Sequence, residues 1–265
     1  MMNCTPMTTP WLPYPGLNAR ADLRMFCFPY AGGGASAYYG WPNALSSRVE
    51  ICPVQLPGRE HLMREPMLTR LPDLVRTIRH ALADYLGELD KPFVFYGHSM
   101  GGLIAFELAR LLRREGGRQP LHLFVSGCRA PHLVEDEKIT YNLPEPELLE
   151  ELRTLNGTPQ EVLENPELME LLLPILRADF EAVETYEYAP EPPLDCPISA
   201  FGGLGDEKVE HHHLEGWREH TTASCSIRMF PGDHFFVRTA QAQLFRILGP
   251  TLHLLVDALA RKNGS

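Results

Sequence analysis

Long apolar runs are missing from this sequence. No stretch approaches the length of about 18 apolar residues that a membrane-spanning helix needs. An export signal has a basic segment followed by an apolar one. The first twenty residues contain four prolines and lack this pattern. We therefore expect neither membrane insertion nor export.

Cysteine motifs and excess basic charge are also missing. The chain has six cysteines, none in C-x-x-C spacing, and Cys27, Cys52 and Cys128 lie in apolar, strand-like runs. This usage is typical of reduced thiols in a cytoplasmic protein. With 24 basic residues against 34 acidic ones the net charge is -10, which argues against a nucleic-acid partner because phosphates require a basic face.

Signatures of nucleotide and metal binding are absent as well. The glycines of AGGGAS (31–36) form neither G-x-G-x-x-G nor a Gly-Lys-Ser/Thr loop, so no dinucleotide or P-loop site is expected. His211, His212 and His213 are consecutive, and successive helical residues point about 100° apart. They cannot converge on one metal ion, so we predict an exposed helix face and no metal.

The chain does contain a regular alternation of strand-like and helix-like segments. This alternation predicts a single α/β domain over residues 1–265, with a doubly wound, mostly parallel central sheet and helices on both faces. The predicted strands are Leu23 to Phe28, Val49 to Gln55, Pro92 to Tyr96, Leu121 to Ser126, Pro197 to Phe201 and Ser226 to Phe230. The predicted helices are Leu71 to Leu89, Gly102 to Arg114, Val209 to His220 and Ala240 to Arg261.

One segment interrupts this alternation. Residues 135–190 contain acidic helical stretches and no strand pattern, which predicts a helical lid inserted into the domain. Pro174 lies within the second stretch and is expected to interrupt or kink it, because proline lacks an amide hydrogen and clashes with the preceding turn. The proline-rich residues 189–197 are expected to return in extended form to the sheet.

The segment FVFYGHSMGG (93–102) combines a short apolar strand, a Gly-x-Ser-x-Gly motif and the start of a helix. This context indicates a nucleophile elbow and hence the α/β-hydrolase fold, with Ser99 as the nucleophile. Gly97 and Gly101 avoid side chains that would collide at the tight turn. Because Ser99 precedes a helix, the backbone amide of Met100 is predicted as one oxyanion-hole donor.

The serine needs a base, and the base needs an acid that orients it. In this fold the chain order is serine, acid, histidine, and His234 follows the last predicted strand in PGDHFF (231–236). His220 and His253, at or within helical segments, are the alternatives. Asp206, in the loop after the strand PISAFGG, is the predicted acid, with Asp233 as its competitor and Glu207 expected to be solvated.

A second oxyanion donor is expected from the loop after the first strand. Ala31, just before three glycines in FPYAGGGAS (28–36), is the predicted amide, since glycine lets the backbone approach a substrate closely. An ordinary flexible loop at the three glycines is the alternative interpretation.

Several blocks in order now carry a family resemblance. The chain resembles the type II thioesterases that accompany nonribosomal peptide and polyketide synthases, and more distantly animal medium-chain acyl thioesterases. The blocks are FPYAGG (28–33), LPGRE (56–60), YGHSMGG (96–102), LPILRADF (173–180), the loop of Asp206 and PGDHFF (231–236). The resemblance implies Ser99, Asp206 and His234 as the triad and the amides of Ala31 and Met100 as the oxyanion hole.

The resemblance also implies a substrate and a partner. Enzymes of this kind hydrolyse acyl groups stalled on the phosphopantetheine arm of acyl or peptidyl carrier proteins, so the chain itself needs no cofactor. The lid then lines an acyl channel with Leu172, Leu176 and Phe180 among Leu168, Ile175 and Val183. For any single one of these residues, packing of the lid against the core is the favoured explanation.

Three further alternatives stay open at this point. Arg59 and Arg177 are candidate anchors for the phosphate of the arm or members of structural ion pairs. The same triad also suits a general carboxylesterase or an acyltransferase. A noncatalytic binding module that retains the fold is the alternative from another class of protein.

Overall fold

A parallel six-stranded sheet organises the described part of the chain. The computed structural model describes residues 9–13, 18, 20–87, 91–133 and 139–263. The strand order across the sheet is β2-β1-β3-β4-β5-β6, and every neighbouring pair is parallel. The strands are β1 (Leu23–Phe28), β2 (Val49–Pro53), β3 (Phe93–His98), β4 (Leu123–Ser126), β5 (Ile198–Gly203) and β6 (Cys225–Phe230).

Helices connect the strands and cover both faces. They are α1 (Leu71–Ala81), α2 (Ala83–Leu86), α3 (Met100–Arg114), α4 (Glu145–Leu155), α5 (Gln160–Leu163), α6 (Pro166–Glu184), α7 (His211–Glu215), α8 (Phe236–Thr239) and α9 (Gln241–Asn263). The predicted fold class is therefore confirmed. No helix among the described residues is long and apolar enough to cross a membrane.

Alternation of side chains along the strands produces two core layers. In β1, Phe26 and Phe28 belong to the layer under α1 and α3, whereas Met25 belongs to the opposite layer. The opposite layer is closed by a stripe of α9 with a spacing of four residues, Leu244, Leu248, Leu252 and Val256. Such a stripe is the buried face of an amphipathic helix, so both faces of the sheet are dry.

Two predicted helices differ from the observed ones. The segment predicted as Leu71 to Leu89 is divided into α1 and α2, and residues 88–90 lie outside the described residues. The segment predicted as Val209 to His220 consists of the short α7 followed by a 3-10 turn, Gly216–His220. In both cases the apolar periodicity continues beyond the point where the helix ends, because periodicity does not fix a helix boundary.

Helices α4, α5 and α6 lie between β4 and β5 in the chain, within the segment predicted as a lid, and are called the lid below. They enclose a small apolar core of their own, formed by Leu148, Leu152, Leu163, Met169, Leu173 and Leu176. Of the predicted segment 135–190, residues 135–138 lie outside the described part. The expected interruption at Pro174 is not found, because α6 continues through it. Pro174 is exposed, so water can satisfy the carbonyl group that its missing N–H leaves unpaired.

Candidate active site

Ser99 occupies a one-residue turn between β3 and α3. Its φ of 53° and ψ of -121° lie in a region that side chains rarely adopt. A Cβ atom at Gly97 would lie 1.9 Å from the carbonyl oxygen of Gly101, and one at Gly101 would lie 2.0 Å from that of Phe28. Both glycines are therefore required for the turn, and the local strain is held by the strand before it and the helix after it.

A continuous hydrogen-bonded relay starts at this serine. The Nε2 atom of His234 lies 3.0 Å from the Ser99 Oγ, and its Nδ1 atom lies 2.7 Å from Oδ2 of Asp206. The other carboxylate oxygen of Asp206 accepts hydrogen bonds from the backbone amides of Lys208 at 2.9 Å and Val209 at 3.1 Å. The acid is thus buried and fixed, while His234 is reached from the cavity above it.

The alternative residues have other partners. Asp233 accepts hydrogen bonds from the Asn156 side chain and the Phe235 amide, both at 2.8 Å, and does not contact the imidazole of His234. His220 lies 2.7 Å from a nitrogen of His132, and burial lowers the pKa of His220 to about 4.

His253 is exposed on α9, where it pairs with Asp257. Glu207 is also exposed. The structure therefore brings together Ser99, Asp206 and His234 and leaves the other candidates apart.

A second histidine lies beside the relay. His98, the last residue of β3, is buried, and its Nδ1 atom lies 2.9 Å from the Ser126 Oγ. Its ring centre is 5.3 Å from that of His234. Burial, followed by the proximity of His234, lowers the pKa of His98 well below its usual value, so its imidazole stays neutral and does not repel a proton on His234.

The two predicted oxyanion donors line the same cavity as Ser99. Met100 is the first residue of α3, and Ala31 precedes the glycines of the loop after β1. In this loop the amide of Gly32 donates to Asp179 at 2.7 Å and that of Gly33 to the carbonyl of Tyr30 at 2.9 Å. Over the described residues, neither the Ala31 amide nor the Met100 amide donates a hydrogen bond to a backbone carbonyl. Both amides are therefore available to a substrate oxygen.

A cavity of about 1000 Å³ opens above the relay, between the sheet edge and the lid. Ala31, Ser99, Met100 and His234 line its floor. The predicted channel residues line the lid side, namely Leu172, Leu176, Phe180 and Val183. Leu168 faces solvent with 44% of its surface exposed and Ile175 lies outside the lining, so these two do not belong to the channel.

The two arginines considered as phosphate anchors are both engaged by protein groups. The guanidinium of Arg59 forms a bidentate pair with Asp179 at 2.6 and 2.7 Å, with both side chains buried. Arg177 donates to the carbonyl of Tyr141 at 2.7 Å. Sequence reasoning did not single out Asp179, although a carboxylate three residues after Leu176 on an apolar helix face was a signal of a buried pair.

A second contact joins the lid to the loop of His234. Asn156, which ends α4 in a left-handed conformation with φ 54°, donates to Asp233. The next residue, Gly157, accepts a hydrogen bond from Arg238 at 2.5 Å, and a Cβ atom there would lie 2.4 Å from the Phe235 ring. The α4–α5 turn is thus seated on the segment that carries the base.

The consecutive histidines have a structural role. His211 and His212 are exposed as predicted, but His213 is buried and accepts a hydrogen bond from the Glu210 amide at 3.0 Å, which caps α7. The prediction of an exposed face was therefore wrong for His213, because capping turned it inward. Within the described residues no group of three His, Cys, Asp or Glu side chains is arranged to hold a metal ion.

Fold and site together define the class of this protein: it is an α/β hydrolase. The family model "Thioesterase domain" matches residues 23–252. The chain belongs to this thioesterase family and is a thioester-hydrolysing enzyme.

Three relatives illustrate the similarity. The protein named linear gramicidin dehydrogenase LgrE from Brevibacillus parabrevis is 46% identical over 245 residues, which cover 91% of this chain and 92% of that protein. Despite that name, the present chain has no G-x-G-x-x-G sequence. The RedJ thioesterase from the prodiginine pathway of Streptomyces coelicolor is 40% identical, with a TM-score of 0.82 and coverage of 91% and 92%.

The third relative carries the subclass in its description. YbtT, a type II thioesterase from the yersiniabactin NRPS/PKS biosynthetic pathway, is 31% identical, with a TM-score of 0.76 and coverage of 89% of this chain and 94% of that one. The resemblance to type II thioesterases, which the sequence blocks indicated, is confirmed.

Proposed function

We propose that this enzyme hydrolyses acyl thioesters on the phosphopantetheine arm of acyl or peptidyl carrier proteins, using Ser99, His234 and Asp206. One observation carries the proposal: the relay from Asp206 through His234 to Ser99 ends at the floor of a large, partly apolar cavity. A cavity of this kind accommodates a long, thin arm that delivers an acyl group better than a shallow surface site would.

The first half of the reaction forms an acyl-enzyme. The Ser99 Oγ attacks the thioester carbonyl carbon while Nε2 of His234 accepts the hydroxyl proton. The negative oxygen that forms receives hydrogen bonds from the amides of Ala31 and Met100, and each such donor contributes about 2.7 to 4 kcal/mol in comparable sites. The carbon–sulfur bond then breaks, and the sulfur takes the proton from His234 and leaves as a free thiol.

The second half restores the enzyme. A water molecule gives a proton to His234 and its oxygen attacks the acyl-serine ester. Collapse of this intermediate returns the proton to the Ser99 oxygen and releases a carboxylic acid. Asp206 accepts a hydrogen bond from the imidazole throughout, which holds the ring in its orientation and stabilises its charged form.

Partner, cofactor and compartment follow from this proposal. Phosphopantetheine arrives on the carrier protein as part of the substrate, so we propose that the enzyme has no cofactor of its own. The pathways in the descriptions of its relatives support a carrier domain of a nonribosomal peptide or polyketide synthase as the partner. Such a synthase and the free cysteines among the described residues favour the cytoplasm as the compartment.

The direct test is release of acyl groups from loaded carrier proteins. Acetyl- and octanoyl-phosphopantetheine on a carrier domain serve as substrates, and Ser99→Ala is compared with the unmodified enzyme. We expect Ser99→Ala to lower turnover by at least about 10³-fold, while Ser46→Ala, at an exposed serine before β2, retains it. Equal release by the Ser99→Ala variant and the unmodified enzyme would refute the proposal.

Two further measurements separate the alternatives. Oxygen esters and alcohol acceptors, offered beside the thioesters, distinguish a general carboxylesterase or acyltransferase from the proposed hydrolase. A fluorophosphonate labels an activated serine, so labelling of the unmodified enzyme and not of Ser99→Ala excludes a noncatalytic binding module.

A further inference from the structure

We propose that Asp179, on the lid helix α6, positions the oxyanion hole, so that the lid is a working part of the catalytic centre. This inference rests on the proposed function, because the hole matters only if Ser99 attacks a carbonyl carbon. Asp179 does not touch the reacting atoms itself. It acts on the loop that presents the Ala31 amide.

The first contact fixes the residue after the oxyanion donor. Oδ2 of Asp179 accepts a hydrogen bond from the Gly32 amide at 2.7 Å, and Gly32 directly follows Ala31 in the chain. Gly32 has a φ of +76°, a conformation that favours glycine, and glycine lacks a Cβ atom that would limit its backbone to fewer conformations. The carboxylate therefore holds the loop at the point where its backbone would otherwise vary.

The second contact holds the same loop through a backbone carbonyl instead of an amide. Arg59, paired with Asp179, also donates to the carbonyl of Gly33 at 3.1 Å. The ion pair thus binds one amide and one carbonyl of adjacent residues. A buried ion pair contributes little net stability after its desolvation cost, so geometric precision at the loop is the better explanation for placing one here.

Packing makes the connection specific to α6. A Cβ atom on Gly32 would lie 2.7 Å from Leu176 and 3.7 Å from Leu172, which precede Asp179 by three and seven residues on one helix face. The helix therefore lies directly against the loop. Moving α6 away would remove Asp179 from Gly32, so we infer that the hole is complete only when the lid is seated.

The chain offers a matched control for this pair. Arg24 and Glu50 are also buried and lie 2.8 Å apart, and Glu50 likewise accepts a backbone hydrogen bond, from the Asn18 amide at 2.7 Å. They face each other near the amino ends of β1 and β2, whereas Ser99 follows the carboxyl end of β3. Loss of either carboxylate charge should destabilise the fold similarly, but only one of the two carboxylates adjoins the oxyanion loop.

The experiment compares Asp179→Asn with Glu50→Gln on S-octanoyl pantetheine, a substrate that needs no carrier docking. Asp179→Asn is expected to lower kcat by about 10- to 100-fold with little change in KM, because a displaced donor weakens only the transition state. Its affinity for a trifluoromethyl ketone, whose adduct with Ser99 carries an oxyanion, should fall by a similar factor. Glu50→Gln should keep kcat within about twofold.

A second variant guards against a protein that fails to fold. Arg59→Met combined with Asp179→Leu removes both buried charges together, which proteins tolerate better than the loss of one, and it still removes the acceptor of the Gly32 amide. Thermal unfolding shows which variants are folded at the assay temperature. The same loss of kcat is expected for this double variant.

Three results would overturn the inference or its basis in distinguishable ways. A folded Asp179→Asn or double variant with kcat within about twofold of the unmodified enzyme rejects the positioning role. Equal losses in Asp179→Asn and Glu50→Gln reduce Asp179 to a structural residue. An unmodified enzyme that releases no thiol from S-octanoyl pantetheine or from loaded carrier proteins rejects the proposed function instead.

Discussion

At the scale of single residues, both carboxylate oxygens of the acid have defined partners. One oxygen of Asp206 accepts from His234 and the other from two backbone amides, so rotation of the carboxylate is blocked. Asp233, although adjacent to the base in the chain, binds the lid and its own turn. The choice between the two acids, which the sequence left open, now has a direct test.

Replacing Asp206 by asparagine should lower kcat by about 10³- to 10⁴-fold, because the amide can hold the imidazole in the wrong tautomer. Asp233→Asn should lower kcat by less than about tenfold, since its contacts lie outside the relay. Steady-state kinetics on S-octanoyl pantetheine checks both variants. A larger loss in Asp233→Asn than in Asp206→Asn would assign the acid to Asp233.

A buried histidine outside the site should make stability sensitive to pH. His122 stacks on Phe124, and its Nε2 atom lies 2.9 Å from the Ser199 Oγ. Burial lowers the pKa of His122 from its ordinary value of 6.5 to about 4. The unfolded chain therefore binds a proton more readily than the folded one, and stability falls as the pH drops from about 6.5 towards 4.

The size of this contribution follows from the two pKa values. Between about pH 7 and about pH 5, His122 should remove about 2 kcal/mol from the free energy of unfolding. Glutamine retains a hydrogen bond to Ser199 without titrating, so His122→Gln should lose about 2 kcal/mol less than the unmodified protein over this interval. Urea unfolding at both pH values measures the difference, and parallel pH dependences would contradict the assignment.

At the scale of elements, the accuracy of sequence-based prediction depends on how local each feature is. The elbow was predictable because strand, glycines, serine and helix are contiguous, and the strands followed from continuous apolar runs. The lid contacts were not, since Gly32 and Asp179 are 147 residues apart and Asn156 and Asp233 are 77 apart. Helix ends such as that of α7 depend on tertiary contacts, which periodicity does not encode.

The elbow itself is a strict steric requirement. Gly97→Ala should lower the free energy of unfolding by at least about 3 kcal/mol and abolish turnover, because the added Cβ atom meets rigid backbone. Gly40→Ala is the matched control, since a Cβ atom at Gly40 meets nothing within 4 Å. Its stability should stay within about 1 kcal/mol of the unmodified value. Denaturant unfolding and kcat measure both, and a stable, active Gly97→Ala would contradict the described turn.

At the scale of the whole molecule, the cavity is formed jointly by the sheet and the lid. The residues that follow the carboxyl ends of the strands supply the reacting groups, and α6 supplies an apolar wall. Acyl selectivity is therefore expected to change through lid residues without any change in the relay. A hydrophobic wall discriminates by about 1 to 3 kcal/mol per methylene, which is enough to alter the preference between short and long chains.

Leu172→Trp should narrow the cavity and lower the ratio of kcat/KM for octanoyl over acetyl pantetheine by at least about tenfold. The acetyl substrate reports any disturbance of the oxyanion loop within the same variant. Leu168→Trp, four residues earlier on α6 but exposed to solvent, should leave the ratio unchanged. An unaltered ratio in Leu172→Trp would show that the acyl chain does not run along this wall.

The lid is attached at two points, through Asp179 to the oxyanion loop and through Asn156 to the loop of His234. A lid held at two points is not expected to open by rotation about one of them, because that rotation would break the hydrogen bond at the other. An acyl substrate would then have to enter end-on beneath the lid. The width of the acyl group would accordingly restrict entry more than its length, and bulky groups would be excluded before they reached Ser99.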